Sequence, residues 1–167
     1  KEDGAKFGES ERVLRINNLG SEDLKKDLAL AKEIELDALL FSKIQSKEDV
    51  LEAVKLIEEV NPNLSLMIMI ETPLSVLNIH EICAASSKVE VVVVGSNKLA
   101  NRLHIDIKKG SKAMFNYLSQ IALASKAYGK TVIDGPHFDV HDEFACEDST
   151  KDAFNLGFDG KSLVHPV

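Results

Sequence analysis

The sequence predicts an α/β chain of parallel strands alternating with helices, part of a closed β/α barrel. Three observations predict it. Short apolar, β-branched runs recur along the chain, and each is followed by apolar residues at helical spacing. The runs Ser65 to Glu71 and Val89 to Gly95 are apolar almost throughout, which suits strands covered on both faces.

The first strand is expected over Arg12 to Ile16. Ser21 follows as a candidate N-cap with Glu22 and Asp23 in the first turn, where helix-end amides favour negative charge, and Leu24, Leu28 and Ala31 supply the apolar stripe. A second strand, Asp37 to Lys43, leads into Ser46-Lys47-Glu48-Asp49, a capping-box pattern ahead of Val50, Val54 and Ile57. Asn61-Pro62-Asn63 stops that helix. The third strand is Ser65 to Glu71, with a helix after Thr72-Pro73 reaching about Ser86, and the fourth is Val89 to Gly95. A longer connection then leads to a helix from Ser111 to Tyr128, closed by Gly129. Lys130 to Asp134 is the fifth strand. A helix ending at Gly157 precedes the sixth, Asp159 to Val164, which makes six strands and five helices.

Such alternation leaves an open doubly wound sheet or a closed eight-stranded barrel, and periodicity alone does not choose. The chain starts without Met and stops at His165-Pro166-Val167 just after a strand, as expected of a piece of a barrel. A whole barrel takes roughly 250 residues, so about two βα units and a final helix are expected to lie outside these residues. No repeat, low-complexity tract or Pro/Gly linker divides residues 1–167, so a single domain is expected.

With 167 residues, 44% of them apolar, the chain can bury a core, and its formal charge of −7 repels nucleic acid and anionic membranes. The apolar runs are too short to span a bilayer, and no signal peptide opens the sequence, so a cytoplasmic protein is expected. Cys83 and Cys146 fall in helical patterns without metal or redox spacing and read as packing residues. Dinucleotide, P-loop and serine-hydrolase motifs are absent from the sequence.

Ligands of parallel α/β proteins gather at the carboxyl ends of the strands. Those ends carry Arg15 and Asn17, Lys43, Glu71, Asn97 and Lys98, Asp134, and Lys161 with His165. A carboxylate directly after Leu66-Met67-Ile68-Met69-Ile70 needs a cation, a donor or a metal to offset desolvation, which singles out Glu71. A guanidinium at a barrel mouth is a bidentate clamp for carboxylate or phosphate, which singles out Arg15. Asp134 reads equally as an Asp-Gly-Pro turn or as a functional acid. His104, His137 and His141 read as surface histidines.

Arg12-Val13-Leu14-Arg15-Ile16-Asn17, Phe41-Ser42-Lys43-Ile44, Met69-Ile70-Glu71-Thr72-Pro73-Leu74 with Val76-Leu77-Asn78, Ile133-Asp134-Gly135-Pro136, and Gly157-Phe158-Asp159-Gly160-Lys161 with Val164-His165-Pro166 follow one another in order. Together they resemble the citrate lyase β-subunit and malyl-CoA lyase group of the HpcH/HpaI aldolases over nearly the whole chain. The resemblance implies a (β/α)8 TIM barrel in which this chain covers about strands 3 to 8, without the N-terminal strands and the C-terminal lid. It implies a homotrimer or homohexamer that cleaves or forms a carbon–carbon bond in a 3-hydroxy-acid CoA or acyl-carrier thioester, such as citryl-CoA or malyl-CoA, giving an acetyl thioester and an oxo acid. Mg²⁺ serves that chemistry as Lewis acid and template. By position, Arg15 would bind the substrate carboxylate and help with charge on the departing enolate, and Glu71 would be a metal ligand. The catalytic set on this register is Arg15, Glu71, Lys98 and Asp134; Arg15, Lys43, Pro73, Leu74 and Asn97 would contact substrate.

One stretch departs from the pattern. Where the family has Gly-x-Asn-Asp-Leu-x-x-Asp-Leu, this chain has Gly95-Ser96-Asn97-Lys98-Leu99-Ala100-Asn101-Arg102-Leu103, so a metal-binding acid is replaced by Lys98. Weak or absent Mg²⁺ binding is therefore expected, with Lys98 able to pair with Glu71. Three functions follow: a thioester lyase, a catalytically impaired paralogue that serves as a binding or structural subunit, and an altered enzyme in which Lys98 replaces the metal electrostatically or forms a Schiff base.

Overall fold

The computed structural model describes residues 8–106, 112–139 and 141–164. Six strands, β1 (Val13–Ile16), β2 (Ala38–Phe41), β3 (Ser65–Ile70), β4 (Val89–Val94), β5 (Thr131–Asp134) and β6 (Gly160–Lys161), form one sheet in sequence order. Every neighbouring pair is parallel. The helices between them are α1 (Leu24–Ala31), α2 (Lys47–Val60), α3 (Pro73–Leu77), α4 (Ile79–Ala84), α5 (Ser96–Leu103), α6 (Lys112–Ala127) and α7 (Glu143–Asn155). Sequential parallel order places all the carboxyl ends along one rim, which is the arc of a TIM barrel rather than a doubly wound sheet, whose strand order reverses.

The six strands lie where the apolar runs predict them, with shorter hydrogen-bonded cores. The sixth pairs only over Gly160–Lys161, well short of Val164. The helices differ more. The connection after β4 contains a helix, α5, and the segment after Thr72-Pro73 breaks at Asn78 into α3 and α4. At that break the Asn78 side-chain amide donates to the Gln45 carbonyl at 2.9 Å, tying the corner to the preceding loop.

Ser46 caps α2 as expected, accepting from the Asp49 amide at 3.2 Å while the Asp49 carboxylate accepts from the Ser46 amide at 3.1 Å. Ser21 does not cap α1. Its hydroxyl accepts from the Asp23 amide in a turn, and Asp23 itself is the N-cap, without a side-chain bond. Gly129 and Gly157 follow α6 and α7 with φ of 66° and 91°, the left-handed conformation expected after a helix.

The large core lies between sheet and helices, where Phe41, Leu66, Ile68, Ile70, Val92 and Val94 meet Ile57, Ile82, Leu99 and Ile121. A smaller cluster of Ala38, Met67, Met69 and Val93 covers the opposite face. Strands apolar on both faces thus have a core on both. Cys83 is buried in the large core, and burial pushes its thiol up to about 11. Among the described residues no helix is long and apolar enough to cross a membrane.

Candidate functional site

Alternation along the strands decides which residues look into the arc. In β3, Leu66, Ile68 and Ile70 join the helix-side core, whereas Met67 and Met69 face the smaller cluster. With a period of two, Glu71 continues the methionine row. Leu14 and Ile16 pack toward the helix side, which leaves Arg15 on the methionine face, and Gly95 continues from Val93 in the same way.

These residues meet. A cavity of about 360 Å³ is lined by Arg15, Leu40, Met69, Glu71, Val93, Gly95, Asn97 and Lys98, with Pro136, Phe138, Ser162 and Leu163 closing it from the ends of β5 and β6. Beside it a polar cavity of about 380 Å³ is lined by Arg15, Asn17, Asn18, Asp27, Lys43 and Lys98. Arg15 and Lys98 belong to both, so two cations stand at their junction.

Glu71 is the acid at the floor. Its side chain is 1% exposed, and the Lys98 Nζ lies 2.9 Å from Oε2. The approach is off the angle of a hydrogen bond, and among the described residues neither Glu71 oxygen accepts one, so the pairing is electrostatic contact alone. Lys98 reaches the carboxylate from the third residue of α5, and the start of that helix is fixed against it. A Cβ added at Gly95 would stand 2.5 Å from the Glu71 Cβ. Only a glycine lets the strand-to-helix turn come so close.

The HpcH/HpaI aldolase/citrate lyase family model matches residues 4–166. The chain belongs to this family. It is 35% identical over 163 residues to the (3S)-malyl-CoA thioesterase of Cereibacter sphaeroides, covering 98% of this chain and 55% of that protein. It is also similar to the citrate lyase subunit beta of Leuconostoc mesenteroides, 25% identical over 167 residues, which span 96% of this chain and 55% of that one. The chain therefore spans about half the length of these relatives. Among solved structures, RipC from Yersinia pestis superposes with a TM-score of 0.85 at 24% identity, over 93% of this chain and 72% of that one. The citrate lyase beta subunit of M. tuberculosis, complexed with oxaloacetate and magnesium, superposes at 0.78 with 24% identity, over 92% and 67%.

Magnesium does not fit the residues this family member presents at Glu71. An ion held at about 2.1 Å from a carboxylate oxygen would share its space with an ammonium already in contact with that oxygen. The described residues contain no group of three or more His, Cys, Asp or Glu side chains that could hold a metal. Among the described residues Glu71 is the one acid lining its cavity.

Of the other expected site residues, Asn97 lines the cavity and Lys43 lines its polar neighbour. Lys43 takes a left-handed φ of 58°, and its ammonium donates to the Asn18 side-chain Oδ1 at 3.5 Å. Asp134 is not brought in. Ile133 faces the inner cluster, so Asp134 turns to the other face, where it is buried against the Lys161 ammonium at 2.5 Å. Pro73 opens α3 and Leu74 is exposed on it; neither lines the cavity. His104 and His141 are exposed, but His137 is half-buried and lines a third cavity. His165 lies outside the described residues.

The sequence alone did not single out Gly95, Phe138 or the Asp134–Lys161 pair. The first had a signal, a glycine ending an apolar strand opposite an acid. The pair could have been read only from strand register, since Asp134 and Lys161 stand opposite each other in β5 and β6.

Proposed function

We propose that this chain carries the acyl end of the active site of a citrate lyase β-like carbon–carbon lyase, acting on a 3-hydroxy-acid CoA or acyl-carrier thioester. The convergence of Arg15, Asn97 and Lys98 on the buried Glu71 carries the reading. The remaining strands of the barrel and its lid are supplied by the rest of the intact protein. In the reaction the bond between C2 and C3 breaks, its electron pair passing into the thioester enolate. The 3-hydroxyl gives up its proton as the oxo acid forms, and a proton returns to C2 of the enolate. Arg15 clamps the substrate carboxylate, and the two cations stand where negative charge collects. Glu71 is the carboxylate within the cavity able to take the hydroxyl proton. Met69, Val93 and Phe138 form an apolar wall that strengthens these charge interactions.

The intact protein is expected to convert citryl-CoA or malyl-CoA to acetyl-CoA and an oxo acid, followed by a dehydrogenase-coupled assay for the oxo acid and a thiol reagent for free CoA. Free CoA without oxo acid would replace this reading by thioester hydrolysis, the activity named for the C. sphaeroides relative. Silence in both channels would support a binding paralogue. One observation favours that second reading: both buried strand-end acids, Glu71 and Asp134, are already paired with lysines.

A further inference from the structure

We propose that Lys98 is the built-in cation of this cavity, binding with Arg15 the carboxylate and 2-oxo group of an oxo-acid anion, so that binding needs no divalent ion. The inference rests on the reading above that the cavity holds the acyl end of the substrate.

Three features of the site point the same way. Glu71 is 1% exposed and accepts no hydrogen bond from the described residues, and a carboxylate so placed requires a counter-charge. Lys98 supplies that charge from a fixed position, because α5 begins at Ser96 and its N-cap, Gly95, is packed on the Glu71 side chain. The ammonium is also presented to ligand. The Lys98 side chain is 49% exposed and lines both cavities alongside Arg15. Its ammonium carries three N–H donors, more than the single contact with Glu71 can use.

The electrostatics agree. Among the described residues one guanidinium, one ammonium and one carboxylate line the cavity, a net positive formal charge before any ligand enters. An anion is attracted to that charge, whereas a divalent cation is repelled by both Arg15 and Lys98 and can reach the Glu71 Oε2 only by displacing the ammonium. Burial of Glu71 makes this displacement costly for a weakly held ion, because magnesium gives up its water reluctantly. The oxo acid would receive N–H donors from Lys98 and a bidentate grip from Arg15, the two interactions that a chelated metal and a guanidinium would otherwise divide.

The test is calorimetric titration of the intact protein with oxaloacetate, once after dialysis against EDTA and once with magnesium chloride. The expected result is the same Kd, within about twofold, in both conditions. Lys98→Met is expected to weaken binding by about tenfold or more, while Lys98→Arg, which keeps the charge, retains most of it. Should Lys98→Met fail to fold, the wild-type comparison decides by itself. Binding seen only with magnesium overturns the proposal, as does the lack of binding in either condition or an unchanged Lys98→Met variant. Because the ligand lacks CoA, this result is separate from the cleavage assay. EDTA-resistant binding without turnover leaves the built-in cation standing and removes the lyase. Magnesium-dependent cleavage accompanied by magnesium-dependent binding does the reverse.

Discussion

Lys161→Met is expected to destabilise the protein by about 3–5 kcal/mol, the loss that follows when one partner of a buried ion pair is removed. Asp134 and Lys161 side chains are only 9% and 10% exposed and lie 2.5 Å apart across the β5–β6 pairing. A methionine preserves the bulk of the lysine stem but leaves the carboxylate buried without its counter-charge. Adding Asp134→Asn to Lys161→Met removes that stranded charge, so the double variant is expected to regain most of the loss. Urea unfolding midpoints of the single and double variants are the measurement. Equal midpoints for the two, or a single variant within about 0.5 kcal/mol of wild type, would show that the pair behaves as a surface contact.

Gly95→Ala is expected to disable oxo-acid binding and to cost about 1–3 kcal/mol, the usual penalty for forcing a methyl into a filled site. The added Cβ would lie 2.5 Å from the Cβ and 3.5 Å from the Cα of Glu71, atoms that cannot swing aside as a side-chain tip can. Either the end of β3 or the start of α5 must move; Glu71 follows directly on the one and Lys98 sits in the other. Gly160→Ala is the control, since a Cβ there meets nothing within 4 Å. It should stay within about 0.5 kcal/mol of wild type and bind oxaloacetate normally. A Gly95→Ala protein with wild-type affinity would mean that the close approach of turn and carboxylate has no bearing on the site.

Much of the architecture was legible because each strand carries its own evidence. Leu66 to Ile70 is continuously apolar since Leu66, Ile68 and Ile70 meet helices while Met67 and Met69 meet the inner cluster, and Glu71 stands out as the polar residue that ends the run. The helix α5 was hidden for the opposite reason. Ser96-Asn97-Lys98-Leu99-Ala100-Asn101-Arg102-Leu103 is mostly polar, its N-cap makes no side-chain hydrogen bond, and only Leu99 and Ala100 are buried. The i, i+4 pair Leu99 and Leu103 was the one helical signal available. Missing that helix did not hide Lys98, because position after a strand end was enough to nominate it. Asp134 shows the limit of the same logic. A strand-end acid is nominated regardless of which face it takes, and only the parity of β5 turns it away from the cavity.

If an ammonium rather than a metal ion accompanies the Glu71 carboxylate, crystals of the intact protein grown with manganese, with diffraction recorded at the manganese absorption edge, will show it. The expected map has no anomalous peak within bonding distance of Glu71 and keeps the Lys98 ammonium in contact with Oε2. A manganese peak about 2.1 Å from a Glu71 oxygen, with Lys98 turned away, would contradict it.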